Sequence, residues 1–342
     1  MADGIHRIPL PLPNDGLRAV NVYALQTDDG VTLVDGGWAI PAAREVLDAG
    51  LRSIGSGVGD IRRILVTHAH RDHYTLAAVI GAEVGAQVLL GIGEKPSLDL
   101  IAGARDGAPG ERANPFVAPL VAAGARELAR QWARSGAEVD PPDPEHWAAP
   151  DLWLEGEEQL AVGGRTLDVV ATPGHTPGHL VFADRAAGLL FAGDHVLPTI
   201  TPSIGFTAPP AEQPLGDFLH SLARVRELPD LTLLPAHGPI ASSTHARVDE
   251  LLSHHEERLA RCLGTLGSTP VTATEVAAHL PWTRLEHAFS SLDVFNGALA
   301  AMETMAHLEL LVVRGSATRL QGTDGVVTFA WRPARRWPVP SR

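Results

Sequence analysis

Four short apolar runs in this 342-residue chain each end on a histidine or an aspartate, and no other feature limits its fold as much. RRILVT (62–67) runs into His68-Ala69-His70-Arg71-Asp72-His73, and LDVVAT (167–172) into Pro173-Gly174-His175. LLF (189–191) leads to Gly193-Asp194-His195, and TLLP (232–235) to Ala236-His237-Gly238. A strand end can aim such side chains into one pocket, whereas a helix would spread them round its surface. In the last three segments a glycine beside the polar residue lets backbone approach a ligand closely. Layered α/β folds gather their active sites at strand ends of this kind.

The rest of the chain suits such a fold. Residues 19–26 and 31–35 alternate apolar and polar side chains across the turn Asp28-Asp29-Gly30 and predict a hairpin. Residues 41–54 and 75–85 have helical apolar spacing, the second ending at Gly85. Strands are expected at about 158–162, 166–171, 179–183 and 188–192, and a helix at about 215–227. Strands and helices recurring in one long stretch predict an α/β sandwich with helices outside. Residues 97–147 differ, with helical stretches at about 97–105 and 116–135 around a Gly/Pro-rich link. After residue 245 the pattern changes again. A helix at about 245–264, another at about 288–306 and a strand pair around LELLVVRG and VVTFAW predict a small α+β, winged-helix-like module. The expected organisation is a main domain over 1–244, with 97–147 as an inserted helical cap, and a C-terminal module over 245–342.

Composition removes several functions. The net charge of −13 disfavours nucleic acid as a partner, because phosphates would be repelled. From residue 245 onward ten basic side chains balance ten acidic ones, so the whole charge resides before it. Cys262 is the lone cysteine, which excludes an intramolecular disulfide and a Cys-rich zinc site. The start, MADGIHRIPLPLPNDG, lacks the charged and apolar regions of a secretory signal, and no 18-residue apolar window exists. A cytoplasmic protein without a membrane span is expected.

The sixteen histidines are out of proportion. His68, His70, Asp72 and His73 put four potential ligands within six residues. Imidazole nitrogens and carboxylate oxygens suit Zn²⁺; a solvated polar loop is the competing reading of that segment alone.

All these segments, in this order and with Asp35 of LVDGG, resemble the metallo-β-lactamase superfamily over residues 17–240. The resemblance implies an αββα sandwich and a site for two divalent metal ions. His68, His70 and His175 would hold the first ion, Asp72, His73 and His237 the second, and Asp194 would bridge them. Zinc is the expected metal, and manganese and iron are compatible. Asp72 and Asp194 would be the catalytic carboxylates, orienting a metal-bridging hydroxide that attacks an acyl carbonyl. Asp35 would support the site, and His179, His195 and Tyr74 are candidates for supporting it or touching substrate. The histidines after 245 are read as ordinary surface or core residues.

Departures within the superfamily narrow the choice. Asp194 stands where true zinc β-lactamases carry another residue. The interval to His237 is too short for the inserted domain of the superfamily's nucleases. His70 stands where flavodiiron electron carriers have glutamate. The segments also look like the glyoxalase-II-like and lactamase-B2-like branches, the latter with a winged-helix-like C-terminal module. The function expected is a metal-dependent hydrolase of thioesters, lactones or related acyl compounds. A single-strand endoribonuclease and a mononuclear iron sulfur dioxygenase are the alternatives. The cap's apolar residues (Leu98, Leu100, Ile101, Phe116, Leu120, Val121, Leu128, Trp132) suit a small-molecule substrate with a hydrophobic acyl group. The C-terminal module is read as a lid or a homodimer contact.

Overall fold

The structure, a computed structural model, describes residues 3–13, 16–103, 114–137, 143–283 and 286–332. Its contacts divide the chain into two units: residues 1–112, 140–202 and 207–252, and residues 113–139, 203–206 and 253–342.

The first unit is built on two sheets. One is formed by β1 (Ile5–Pro11), β2 (Ala19–Thr27), β3 (Gly30–Val34), β4 (Ile61–Leu65), β5 (Gln87–Gly91) and β6 (Leu152–Leu154), paired in that order. The first three strands are antiparallel neighbours, and β3 to β6 run parallel. Helices α1 (Pro41–Ser53), α2 (Arg71–Val84) and α3 (Lys95–Gly103) connect these strands. The other sheet has the order β11-β10-β9-β8-β7, from β7 (Gln159–Val162), β8 (Arg165–Ala171), β9 (Leu180–Asp184), β10 (Leu189–Gly193) and β11 (Thr232–Pro235). Helix α6 (Pro214–Glu227) joins its last two strands, which are parallel.

The inner strands β3 and β5 of the first sheet are buried on both faces, and each is apolar over most of its length. Side chains alternate across the sheet. Val20, Val22, Leu33, Ile64 and Leu90 pack outward with Leu47 and Leu51 of α1 and Ile80 of α2. Tyr23, Leu25, Val34, Leu65 and Leu89 point inward, against Leu167, Val169, Phe182 and Phe191 of the second sheet. Each fully buried side chain of this size stabilises the sandwich by about 1.5–3 kcal/mol. This sandwich brings the ends of β3, β4, β8, β10 and β11 together.

The second unit contains α4 (Val117–Ala122), α5 (Arg126–Ala137), α8 (Ala273–Ala277), α9 (Val294–Val313) and a three-stranded antiparallel sheet. That sheet has the order β12 (Val271–Thr272), β14 (Val327–Trp331), β13 (Ala317–Gln321). Helix α7 (Thr244–Thr265) belongs to the first unit up to Leu252 and to the second beyond it. Thr272 and Glu275 form a capping box at the start of α8, worth about 1 kcal/mol. Phe116, Trp132, Phe206 and Phe295 pack ring on ring, with Phe116 and Phe206 stacked at 4.3 Å. Cys262 is buried on α7, and burial pushes its thiol up to about 12, so it stays protonated and unreactive.

Several expectations need correction. Strand β1 was not anticipated, because Pro9 and Pro11 argue against a strand; as an edge strand it loses no essential donor there. The helix expected at 116–135 is two helices, divided at Gly124, whose φ of +82° leaves the α region and whose Cα packs tightly on Thr272. LELLVVRG is not a strand: Leu308–Val313 completes α9, and the β13–β14 pair lies beyond Gly315. Its β-branched valines are outweighed by an apolar pattern that continues the preceding helical turns. Helix α9 starts late, where the Asp293 side chain caps it by accepting from Asn296 N–H. His279 and His287 lie outside the helices. The Gly/Pro-rich link at 104–113 lies outside the described residues.

One buried pair in the second unit carries a pH prediction. His307 Nδ1–H donates to the Glu303 carbonyl at 2.7 Å, so its Nε2 accepts from His255 Nδ1–H at 3.3 Å, and both rings are neutral. Burial and the neighbouring His307 push His255 down to about 2, and burial pushes His307 down to about 4. An unfolded histidine titrates near ~6.5. Above that pH neither state is protonated and the pair's stability is complete. Below it the unfolded chain takes up protons that the folded one refuses, and stability falls by up to ~1.4 kcal/mol per pH unit per histidine as pH drops towards 4. The double variant His255→Leu/His307→Leu should therefore lose less melting temperature than the wild type between pH 7 and pH 5. Equal losses in the two proteins would show that the pair does not set this dependence.

Candidate metal centre

Strand β4 ends at Leu65, and Thr67, His68 and Ala69 lead from it to α2. His70 is the last extended residue before α2, with φ −75° and ψ 151°. Asp72 and His73 lie in the first turn of α2, which begins four residues earlier than its apolar spacing suggested. The HAHRDH segment is thus half strand end and half helix start. The helix N-terminus favours the negative charge of Asp72.

Asp35, at the end of β3, organises this segment. Its φ of 61° lies in the left-handed region, a strain of about 1–3 kcal/mol that a non-glycine residue keeps only where its surroundings enforce it. Here they do. Asp35 Oδ1 accepts from Thr67 N–H at 2.8 Å and from Thr67 Oγ1 at 3.0 Å, and Oδ2 accepts from His73 Nδ1–H at 2.9 Å. With its hydroxyl proton given to Asp35, Thr67 Oγ1 accepts from His68 Nδ1–H at 3.1 Å. On the opposite side, His237 Nδ1–H donates to the Ala19 carbonyl at 2.9 Å. Each of these rings is oriented through Nδ1, which leaves Nε2 facing the centre.

The facing atoms converge in two groups. His68 Nε2 and His175 Nε2 lie 3.0 and 3.1 Å from His70 Nδ1. His237 Nε2 is 3.4 Å from Asp72 Oδ2, and His73 Nε2 is 3.6 Å from the same oxygen. Asp194 faces both groups: Oδ1 is 3.3 Å from His237 Nε2 and 3.7 Å from His73 Nε2, and Oδ2 is 3.6 Å from His175 Nε2. His68, His70, His175 and Asp194 could hold one ion, and Asp72, His73 and His237 another.

Electrostatics separates the two groups. Burial and the surrounding imidazoles lower His68 well below the ordinary histidine value, and burial with His175 lowers His70 to about 3. His73 behaves oppositely: burial would lower it, but Asp72, Asp35 and Asp194 raise it to about 10. His237, against the same burial, is raised to about 8 by Asp194 and Asp72. Asp72, despite burial, is held below the usual carboxylate range by His73 and His237. The carboxylates thus favour positive charge at this spot. The buried atoms His73 Nε2, His237 Nε2 and Asp194 Oδ1 have no hydrogen-bond partner among the described residues. Each buried polar atom left unpaired costs about 1–3 kcal/mol. Divalent cations would satisfy all three, and an N/O donor set without cysteine fits zinc, manganese or iron.

Residues 15–237, which contain every one of these side chains, match the family model described as the metallo-beta-lactamase superfamily. The chain belongs to the metallo-beta-lactamase superfamily. Residues 259–332 match a second model, the metallo-beta-lactamase-like C-terminal domain. Among solved structures, the chain resembles a metallo-beta-lactamase family protein of Thermus thermophilus, with 32% identity, a TM-score of 0.77 and coverage of 97% of this chain and 99% of that one. A beta-lactamase domain protein of Burkholderia ambifaria shares 27% identity at a TM-score of 0.75, covering 97% and 93%. The probable metallo-hydrolase YqjP of Bacillus subtilis is 23% identical over 91% of this chain and 92% of its own length. The superfamily and the His/Asp cluster together support a metal-dependent hydrolase. No described helix is long and apolar enough to cross a membrane.

The remaining candidates lie around this metallo-beta-lactamase centre in different ways. His179 Nε2 accepts from Asp194 N–H at 3.1 Å, while its Nδ1 meets Thr172 Oγ1 at 2.9 Å. The ring is therefore neutral and holds the backbone of Asp194; burial lowers its pKa well below the ordinary value. His195 is fully buried, its ring edge-on to Phe218 of α6 at 5.1 Å. Tyr74 is also fully buried and donates its hydroxyl to the Ala148 carbonyl. Sequence reasoning missed Thr67, Thr172 and Glu94. The two threonines immediately precede cluster segments, and Glu94 is an acid in the apolar, glycine-rich run LLGIGEKP.

Proposed function

We propose that this chain is a dinuclear metal-dependent hydrolase acting on an acyl group, such as a thioester, a lactone or a related ester or amide. The observation that carries the reading is Asp194, whose two carboxylate oxygens face the two groups of ligand atoms separately. His68, His70 and His175 would hold one ion, Asp72, His73 and His237 the other, and Asp194 both. When bound, the ions supply Lewis acidity and a water acidified enough to ionise near neutral pH. The chain's own part is orientation. Asp35 and Thr67 fix the tautomer and angle of His73 and His68. His179 and Thr172 fix Asp194. Asp72 and Asp194 put negative charge beside the cations and can orient a water for attack. The net charge of −13 favours a small acyl substrate over RNA.

Metal analysis of protein purified without added metal, followed by assays on an acyl-CoA, a lactone, a β-lactam and a short RNA, tests this. The expected result is two zinc or manganese ions per chain and acyl turnover that a chelator removes and zinc restores. One iron per chain with oxygen consumption, or RNA cleavage without acyl hydrolysis, would overturn it.

A further inference from the structure

A single buried acid outside the cluster touches both loops that carry the first three histidines. Glu94 follows β5 and is 1% exposed. Its carboxylate accepts from the Thr176 hydroxyl, next to His175, and the backbone N–H groups of Gly178 and of Ala69, which lies between His68 and His70, lie close enough to favour its charged form. It forms no ion pair among the described residues. The surrounding backbone leaves no slack. A Cβ on Gly178 would lie 2.2 Å from Glu94 N, and one on Gly93 would lie 2.5 Å from the Pro177 carbonyl oxygen.

Burying a carboxylate without a cation is unfavourable, and burial pushes Glu94 up to about 7 in spite of its three donors. A neutral amide would avoid that cost but could not accept from all sides. A carboxylate offers about four lone-pair sites and no donor, which matches three donors arriving from two separate segments. We propose that Glu94 is a positioning residue: it ties the His68–His70 segment to the His175–Gly178 turn and thereby sets the separation at which His68, His70 and His175 meet. The inference rests on the dinuclear reading for its purpose, and on the geometry of Glu94 alone for its mechanism.

Zinc titration against a competing chromogenic chelator, which resolves two affinities, tests it on the full chain. In Glu94→Gln an amide N–H faces a donor, so at least one tie is lost. In Thr176→Val the hydroxyl tie is lost, whereas Thr176→Ser keeps it. The expected result is a roughly 10–100-fold weaker affinity at the site of His68, His70 and His175 in Glu94→Gln and Thr176→Val. The Asp72, His73 and His237 site should be unchanged, and Thr176→Ser should match the wild type. A merely structural role would lower the melting temperature of the metal-free protein and leave both affinities alone, which overturns the proposal. Should Glu94→Gln not fold, Thr176→Val decides by the same criterion. A wild-type chain that takes up no zinc, manganese or iron would bring down the dinuclear reading itself, a result distinct from unchanged affinities in the variants.

Discussion

Asp194→Ala will fold, bind fewer metal ions than the wild type and lose activity by on the order of 10³-fold or more. The fold should survive because the removed carboxylate lies outside both apolar cores of the sandwich. Asp194 sits at the end of β10, and its Oδ1 is a buried atom with no hydrogen-bond partner among the described residues. Its backbone N–H, which His179 holds, remains in the variant. Without metal, truncation removes the carboxylate that faces the protonated His73 and His237, so the metal-free variant should melt somewhat below the metal-free wild type. Under the proposed reading the loss falls on the metals, because the carboxylate of Asp194 faces both groups of ligand atoms. With metal the gap should widen, because the wild type gains the binding energy of ions that the variant holds poorly. His70→Ala should resemble it in activity. Metal content by mass spectrometry, turnover and paired melts check the prediction, and wild-type turnover with full metal content would refute the assignment.

Gly174→Ala should be among the most damaging single methyl additions in the first unit. Gly174 has φ +139°, and a Cβ there would lie 2.4 Å from both Cα and Cβ of Phe218. Those atoms belong to α6, where Phe218 is fully buried, so neither can rotate away. Either α6 shifts or the turn before His175 does. Backbone strain and overpacking together make the expected cost about 3–5 kcal/mol, a fall in melting temperature on the order of 10 °C. If the turn yields rather than the helix, His175 moves and metal affinity falls with stability. A melting temperature within ~2 °C of the wild type would mean that the contact is softer than the backbone geometry indicates.

Much of this architecture is visible in the residues themselves. The apolar runs before His68, His175, Asp194 and His237 are short strands, and the sandwich brings all four ends together. That legibility is greatest for β10, whose five residues are all buried and apolar or glycine, and least for β8, which alternates buried with exposed or half-buried side chains. Elements set by tertiary contact were harder to read. Strand β1 exists because β2 offers it a partner, prolines notwithstanding. The division of α4 from α5 depends on the approach of Thr272 to Gly124. In the site, histidines and aspartates carry their own chemical signal. Thr67, Thr172 and Glu94 do not, since a threonine or a glutamate becomes significant only when the fold shows which ring or loop it holds. The extension of α2 back to Arg71 was hidden because its first turn buries polar side chains, His73 among them, where apolar spacing would be sought.

The seven clustered residues come from both sheets, and this sets an order in time as well as in space. His237 leaves the ribosome ~170 residues after His68, a delay of roughly 10–30 s at ordinary synthesis rates. Until then the group of Asp72 and His73 lacks its third member, although all four residues of the other group have been made once Asp194 has emerged. A chain that has not yet reached His237 therefore lacks a finished pair of sites. The pair is complete only when the second sheet, with its last strand β11, closes on the first. Nitrogen and oxygen donors accept several divalent ions, so the ion captured will reflect what the cell holds free at that moment.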